Sequence, residues 1–381
     1  MNNTRPDLWL LAGEASGDRY GGRLARALRS AAPEVRLWGV GGREMALEGV
    51  ELLAPLADRA VVGVSEAVLS LPFFWRILRR LGEELRVRRP RAVILIDFPE
   101  FNLQFAKTAH RLGVPVIYYV PPQLWAWRRG RIRMMARVVS HVFTVFPFEG
   151  SLYEGARISV ESLGHPLRDF LPDLSRDEAR DRLGVSGNAV LLGLLPGSRR
   201  GELRRHLPLL LMALRRIGQE HLVQFMLALA PTISRQEIQS GLASASVPIR
   251  VVEGQTYEVM AASDLLLVAS GTATLEAAWF GTPMVIFYRV SRTTTLLARM
   301  LLTVRHVGLP NLLAGREIVP ELLDKAATGE RLGQVAMDLI HDPRALEAQR
   351  KQLGKLRPLI GEPGVAERAA RRILELVDDR P

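Results

Sequence analysis

This sequence predicts an α/β chain built from two doubly wound parallel sheets, on three observations. Short apolar runs without polar interruption alternate with longer segments of helical period. Such runs are strands buried on both faces, as in a parallel sheet covered by helices. The alternation runs through twice with a pause between, and at 381 residues, 48% of them hydrophobic, each pass can bury its own core.

In the first pass the strands fall at residues 8–12, 35–40, 92–96, 114–120 and 142–146. The pause covers residues 164–173, and a charged helical segment over 173–182 opens the second pass. Its strands fall at 189–195, 224–230, 249–253, 265–269 and 284–288. Residues 364–379 read as an amphipathic helix, with Val365, Ala369, Ile373, Leu376 and Val377 on one face. The expected organisation is a Rossmann-like domain over 1–170, a second over 171–362, and a terminal helix over 363–381.

Composition removes several function classes. Without cysteine there is no disulfide framework, thiolate metal site or cysteine nucleophile. No apolar run has the length of a membrane span, and the first residues lack the order of a signal peptide, so a cytoplasmic protein is expected. The net charge of +11 comes mostly from arginine, with only four lysines among 51 basic residues. That bias often reflects a GC-rich genome, and no helix-turn-helix, RRM or zinc signature accompanies it, so no nucleic-acid partner is expected. The basic residues cluster in two places. Arg76, Arg79, Arg80, Arg86, Arg88, Arg89 and Arg91 face only Glu83 and Glu84, and Arg128, Arg129, Arg131, Arg133 and Arg137 have no acid among them. Solvated helix faces account for this, and so does an anionic surface of phospholipid headgroups.

In doubly wound sheets ligands bind in the loops after the strands. The first strand leads into Gly13-Glu14-Ala15-Ser16-Gly17-Asp18, a tight turn into a helix. It is neither a dinucleotide G-x-G-x-x-G nor a P-loop, and it reads as a glycine turn capped by Ser16 or Asp18 or as a ligand loop bearing Glu14. The third strand ends in Asp97-Phe98-Pro99-Glu100-Phe101-Asn102. A carboxylate at the tip of a central apolar strand is placed as a general base, so Asp97 is the leading catalytic candidate. Two prolines and two tryptophans in Pro121-Pro122-Gln123-Leu124-Trp125-Ala126-Trp127-Arg128 suit a sugar-binding wall or a lid on the core.

In the second pass Pro196-Gly197-Ser198-Arg199 follows a strand, and a guanidinium after a Gly-Ser turn suits a phosphate oxygen. Ser270-Gly271-Thr272-Ala273 opens a helix with small residues, leaving N–H groups and the positive dipole end for a diphosphate. Glu276, one turn in, is placed to accept from ribose hydroxyls. No Asp-x-Asp pair and no metal-spaced His/carboxylate set occurs, so neither metal nor cofactor is expected. One surface segment remains, with Val68, Leu71, Phe73, Phe74 and Trp75 beside Arg76, Arg79 and Arg80. Three consecutive aromatics do not all face one core, so contact with an anionic membrane is expected there.

These residues together resemble a known family. The two loops from Gly13 and from Asp97, Trp125-Ala126-Trp127, Phe146-Pro147-Phe148-Glu149, Gly164-His165-Pro166, Leu195-Pro196-Gly197-Ser198-Arg199, the stretch Ala269–Glu276 and Pro310-Asn311-Leu312-Leu313-Ala314-Gly315 occur in the order of the lipid-A-disaccharide synthases. The resemblance implies a GT-B fold, two Rossmann-like domains facing across a cleft, with the terminal helix crossing back to an N-terminal domain. It implies a metal-independent, inverting glycosyltransferase that joins UDP-2,3-diacylglucosamine to 2,3-diacylglucosamine 1-phosphate (lipid X) and releases UDP. The implied location is the cytoplasmic face of the inner membrane. Asp97 would deprotonate the acceptor 6-hydroxyl, Arg199 and the helix start at Ser270 would hold the departing UDP, and Glu276 its ribose. Asn311 matches an asparagine near the donor, while Glu14, Ser16, Asn102 and Gln123 would line the acceptor side. A homodimer is compatible with this. The rivals within the fold are a peptidoglycan N-acetylglucosaminyltransferase and a UDP-sugar 2-epimerase.

Overall fold

The apolar runs form strands that pair in parallel. The computed structural model describes residues 7–55, 64–122, 131–185, 189–219, 223–289 and 306–378. In the first sheet lie β1 (Asp7–Ala12), β2 (Arg36–Gly41), β3 (Glu51–Pro55), β4 (Ala92–Ile96), β5 (Val116–Tyr119), β6 (His141–Thr144) and β7 (Ser159–Ser162), in the order β3-β2-β1-β4-β5-β6-β7. The second holds β8 (Val190–Leu195), β9 (Val223–Leu229), β10 (Ile249–Glu253), β11 (Leu265–Ala269), β12 (Met284–Tyr288) and β13 (Glu321–Leu323), in the order β10-β9-β8-β11-β12-β13. Both patterns are doubly wound. β1 pairs with β4 from Leu8↔Ala92 to Ala12↔Ile96, and β8 pairs with β11 from Leu192↔Leu265 to Leu195↔Val268.

The central strands β1, β4 and β11 are buried along nearly their whole length, as sheets covered on both faces require. In the first sheet Trp9 stacks on Phe105 at 6.2 Å over a core with Leu95, Tyr118 and Val142. The second has a separate core of Leu192, Leu210, Leu227, Leu267 and Phe287. The chain accordingly divides into two compact units, the residues up to Phe170 together with those from Leu359, and Leu171–Pro358.

The helix Val365–Asp378 packs on α1 (Ala15–Ala31) within the first unit. Its four unpaired N–H groups would be costly if buried alone. Asp169 satisfies three of them, accepting from Gly364, Val365 and Ala366 at 2.7, 3.0 and 2.8 Å. Arg372 adds two bonds to Glu161. Three strands lie outside the expected set, all at sheet edges: β7 has a single apolar residue, Val160, β13 has three residues, and β3 is a short apolar stretch, Leu52-Leu53-Ala54, ending in a proline. Among the described residues no helix is long and apolar enough to cross a membrane.

Candidate active site

In each sheet the strand order reverses once, between β1 and β4 in the first and between β8 and β11 in the second. Helices after two such neighbours leave to opposite faces, so a crevice opens at the carboxyl ends of those strands. The loops there are residues 13–18, 97–102, 196–199 and 270–276, the four that the strand-by-strand reading isolates.

At the first crevice the backbone is strained. Asp97 and Phe98 have φ of +52° and +45°, and Val120, at the tip of β5, has +63°. They are three of the five non-glycine residues with positive φ among those described, and a β-branched residue there is an outlier. The bonding holds the strain in place. The Asp97 N–H donates to the Val120 carbonyl at 3.2 Å, and its own carbonyl accepts from Asn102 Nδ2 at 2.7 Å and from the Tyr118 hydroxyl at 2.9 Å. The half-buried Asp97 carboxylate accepts from the Phe98 N–H at 2.9 Å. Burial, reinforced by the Asp97 charge, pushes the Tyr118 hydroxyl well above its usual pKa, so it stays a donor.

Helix α4 (Pro99–Arg111) therefore begins at Pro99 with Phe98 as its N-cap residue, three residues earlier than Asn102. Asn102 is buried, and its amide also reaches the carbonyls of Leu11 and Ile96, each at 3.2 Å. This corrects its expected place on an acceptor wall: it ties the tips of β1 and β4 to Asp97. Asp18 is likewise not the cap of its own helix. Its carboxylate accepts from Gly42, Glu44 and Met45 N–H at 2.7, 2.9 and 3.1 Å, capping α2 (Arg43–Leu47). Glu14 is the N-cap residue of α1 without a side-chain cap bond, and it and Ser16 are half-buried.

At the second crevice Gly197, at φ +113°, turns the chain into the helix Arg200–Ile217. Arg199 donates to Glu202 Oε1 at 3.0 Å, and the Tyr288 hydroxyl donates to the same oxygen at 3.1 Å. Burial and the Glu202 charge push Tyr288 up to about 12. Below them His206 is fully buried, with Nδ1 2.7 Å from the Pro196 carbonyl and Nε2 3.2 Å from the Arg289 N–H. A carbonyl needs a donor and an N–H an acceptor, so the ring is neutral with its proton on Nδ1. Burial lowers its pKa accordingly. No sequence pattern marks His206, since its partners lie at the ends of two other segments. Gly271, at φ +151°, precedes the helix Thr272–Phe280, and Glu276 is buried one turn in, accepting from the Tyr257 hydroxyl at 3.2 Å.

Asn311 departs from its expected role. It is fully buried, its amide donates to the Val319 carbonyl and to Glu321, and its oxygen accepts from the N–H groups of Ile318 and Val319. With every lone pair and proton engaged inside the protein, its side chain staples a loop and offers nothing to a donor sugar. Gln123 and Trp125 lie outside the described residues. On α3 (Val64–Arg88), Phe73 and Phe74 correct the expectation of a membrane-facing aromatic run: they are half-buried, and Phe74 packs on Phe98 at 5.9 Å and Phe101 at 6.1 Å. Trp75 is 64% exposed beside exposed Arg76, Arg79 and Arg80, while the side chains of Val68 and Leu71 lie outside the description. Among the described residues no group of three His, Asp or Glu is arranged to hold a metal ion.

Comparison with known proteins places this geometry. Of solved structures, a putative UDP-N-acetylglucosamine 2-epimerase from Listeria monocytogenes superposes with a TM-score of 0.65 at 13% identity, covering 99% of this chain and 98% of that one. A UDP-glucosyltransferase from Polygonum tinctorium gives 0.61 at 12% identity, covering 100% of both chains. Transferases and epimerases thus share the fold, and the fold does not separate them. Sequence does. A lipid-A-disaccharide synthase of Syntrophus aciditrophicus is 41% identical over 371 residues, 97% of each chain. The family model described as lipid-A-disaccharide synthetase matches residues 8–369, and the chain belongs to that family of hexosyltransferases.

Proposed function

We propose that this chain transfers the diacylglucosamine group of UDP-2,3-diacylglucosamine to the 6-hydroxyl of lipid X, forming a β(1→6) bond and releasing UDP. The observation that carries the chemistry is Asp97, a carboxylate at a topological switch point on a backbone over-determined by three hydrogen bonds. As the acceptor oxygen attacks C1, its proton passes to Asp97, the bond from C1 to the diphosphate oxygen breaks, and attack opposite the leaving group inverts the anomeric centre. The diphosphate departs with its negative charge. The Arg199 guanidinium, oriented by Glu202, and the N–H groups at Gly271–Ala273 meet that charge, with Ser198 and the Ser270 hydroxyl beside them. The Ser270 N–H itself donates to the Phe287 carbonyl at 3.0 Å. Glu276, held by Tyr257, is the ribose contact. Glu14 and Ser16 face the acceptor, and Trp75 with its neighbouring arginines meets anionic headgroups of the membrane that carries the lipids.

The test is turnover of UDP-2,3-diacylglucosamine with lipid X in detergent and EDTA, following UDP and the tetraacyl disaccharide. Wild-type protein should form product, and Asp97→Asn should lose activity about a thousandfold while still binding UDP. A folded wild type that binds UDP and forms no disaccharide would refute the reaction. Interconversion of a UDP-sugar with its 2-epimer would put an epimerase in its place.

A further inference from the structure

The strained tip of β4 has a cost that nothing local removes. A left-handed residue costs about 1–2 kcal/mol, and here two are consecutive while a third faces them from β5. Such a conformation persists only where its surroundings over-determine it. Besides the Asp97 N–H bond to Val120, two of the determining bonds converge on one carbonyl. The Asp97 carbonyl receives both Asn102 Nδ2 and the Tyr118 hydroxyl. Asn102 is 1% exposed and Tyr118 fully buried, so neither is built to touch a ligand. Rotating Asp97 back to an ordinary strand conformation would swing that carbonyl away from both donors, strand the Tyr118 hydroxyl in the core and cost Asn102 its shortest bond. The Phe98 ring, stacked on Phe101 at 5.7 Å and packed against Phe74 at 5.9 Å, anchors the residue that follows.

We infer that Tyr118 and Asn102 are positioning residues, which aim the Asp97 carboxylate by clamping its backbone carbonyl and do not contact substrate. The inference rests on Asp97 being the base. It separates binding from turnover, because misaiming a base by a fraction of an ångström slows proton transfer without disturbing the surfaces that hold either substrate.

Tyr118→Phe keeps the ring and removes one donor, and Asn102→Ser keeps a shorter polar group. Each is assayed with Asp97→Asn, with kcat normalised to the UDP-binding equivalents of each preparation so that misfolded protein does not count. Tyr118→Phe should lower kcat about tenfold and Asn102→Ser about ten- to a hundredfold, with KM for both substrates and the affinity for UDP unchanged. If Asp97→Asn is inactive while both other variants turn over normally, the clamp is overturned and the base stands. A rise in KM matching the fall in kcat would also overturn it, since that marks a contact with substrate. If Asp97→Asn retains activity, the base itself is wrong.

Discussion

The two crevices reach unusual backbone geometry by opposite means. At the second crevice positive φ falls on glycines, Gly197 and Gly271, where no side chain is at stake. At the first it falls on Asp97, Phe98 and Val120, each carrying strain that glycine would avoid. Under the proposed function, the difference follows from what each loop would have to present. A departing diphosphate is met by backbone N–H groups and a helix dipole, so bare backbone serves best. A proton has to reach a carboxylate, so the strained position needs a side chain whatever the conformational cost.

The sharpest way to break this division is to remove the charged side chain proposed to meet the diphosphate at the second crevice. Arg199→Ala should lower kcat/KM for the UDP-sugar by about 10²–10³, the range for losing one donor to a developing oxyanion. Initial rates against each substrate check it. A loss confined to the KM for lipid X would take Arg199 out of the donor site.

Each unit also buries a neutral histidine, and the first is the more displaced. Burial holds His165 at about 3, far below the ordinary 6.5, with Nδ1 accepting from the Leu167 N–H at 3.1 Å. The unfolded chain takes up a proton below about 6.5 whereas the fold resists until about 3. Stability is therefore complete above that window and lost as pH falls through it, by about 1.4 kcal/mol per unit. His206 has the same sign. His165→Asn keeps an acceptor for Leu167 and removes the titration. Urea midpoints at pH 7 and 4.5 should show wild type losing about 2–3 kcal/mol more than the variant. Equal losses would assign the acid sensitivity elsewhere.

How much of this was legible in the sequence depended on how far apart the interacting residues lie. The central strands announce themselves because burial on both faces demands an unbroken apolar run, and the chemistry-bearing loops follow from the strands that precede them. Among the edge strands only β10 does: β7 is half exposed and β13 is three residues long. Side-chain roles fail for a related reason. An asparagine reads the same whether it faces a ligand or is spent on the protein's own backbone, and only the fold shows that Asn102 bonds three carbonyls and that Asn311 joins a carbonyl, a carboxylate and two N–H groups. Asp18 has a helix start beside it in sequence but caps another about two dozen residues away. Phe74 looked outward until Phe98 supplied its partner.

Within the second crevice the two glycines differ in a way that sharpens the comparison. A Cβ at Gly197 would come within 2.5 Å of the Glu202 carboxylate, whereas one at Gly271 would meet open space. Gly271→Ala adds backbone strain alone. Gly197→Ala adds strain and pushes Glu202 off Arg199 and Tyr288, so its affinity for UDP should fall about tenfold, against a few-fold for Gly271→Ala. Titration calorimetry with UDP ranks them, and the reverse order would mean that Glu202 does not orient Arg199.

The smallest expected effect tests the strain at the first crevice. In an ordinary strand, replacing alanine by glycine destabilises, because glycine loses more freedom on folding. At Val120, with φ of +63°, the order should invert. Val120→Ala and Val120→Gly both lose the valine's buried methyl groups, but only alanine keeps a Cβ against its own carbonyl. Val120→Gly should therefore be the more stable of the two by about 1 kcal/mol, and denaturant midpoints at matched slope would show it. Were Val120→Ala the more stable, the tip of β5 would be relaxed, and the carbonyl that accepts the Asp97 N–H would not be part of a strained clamp.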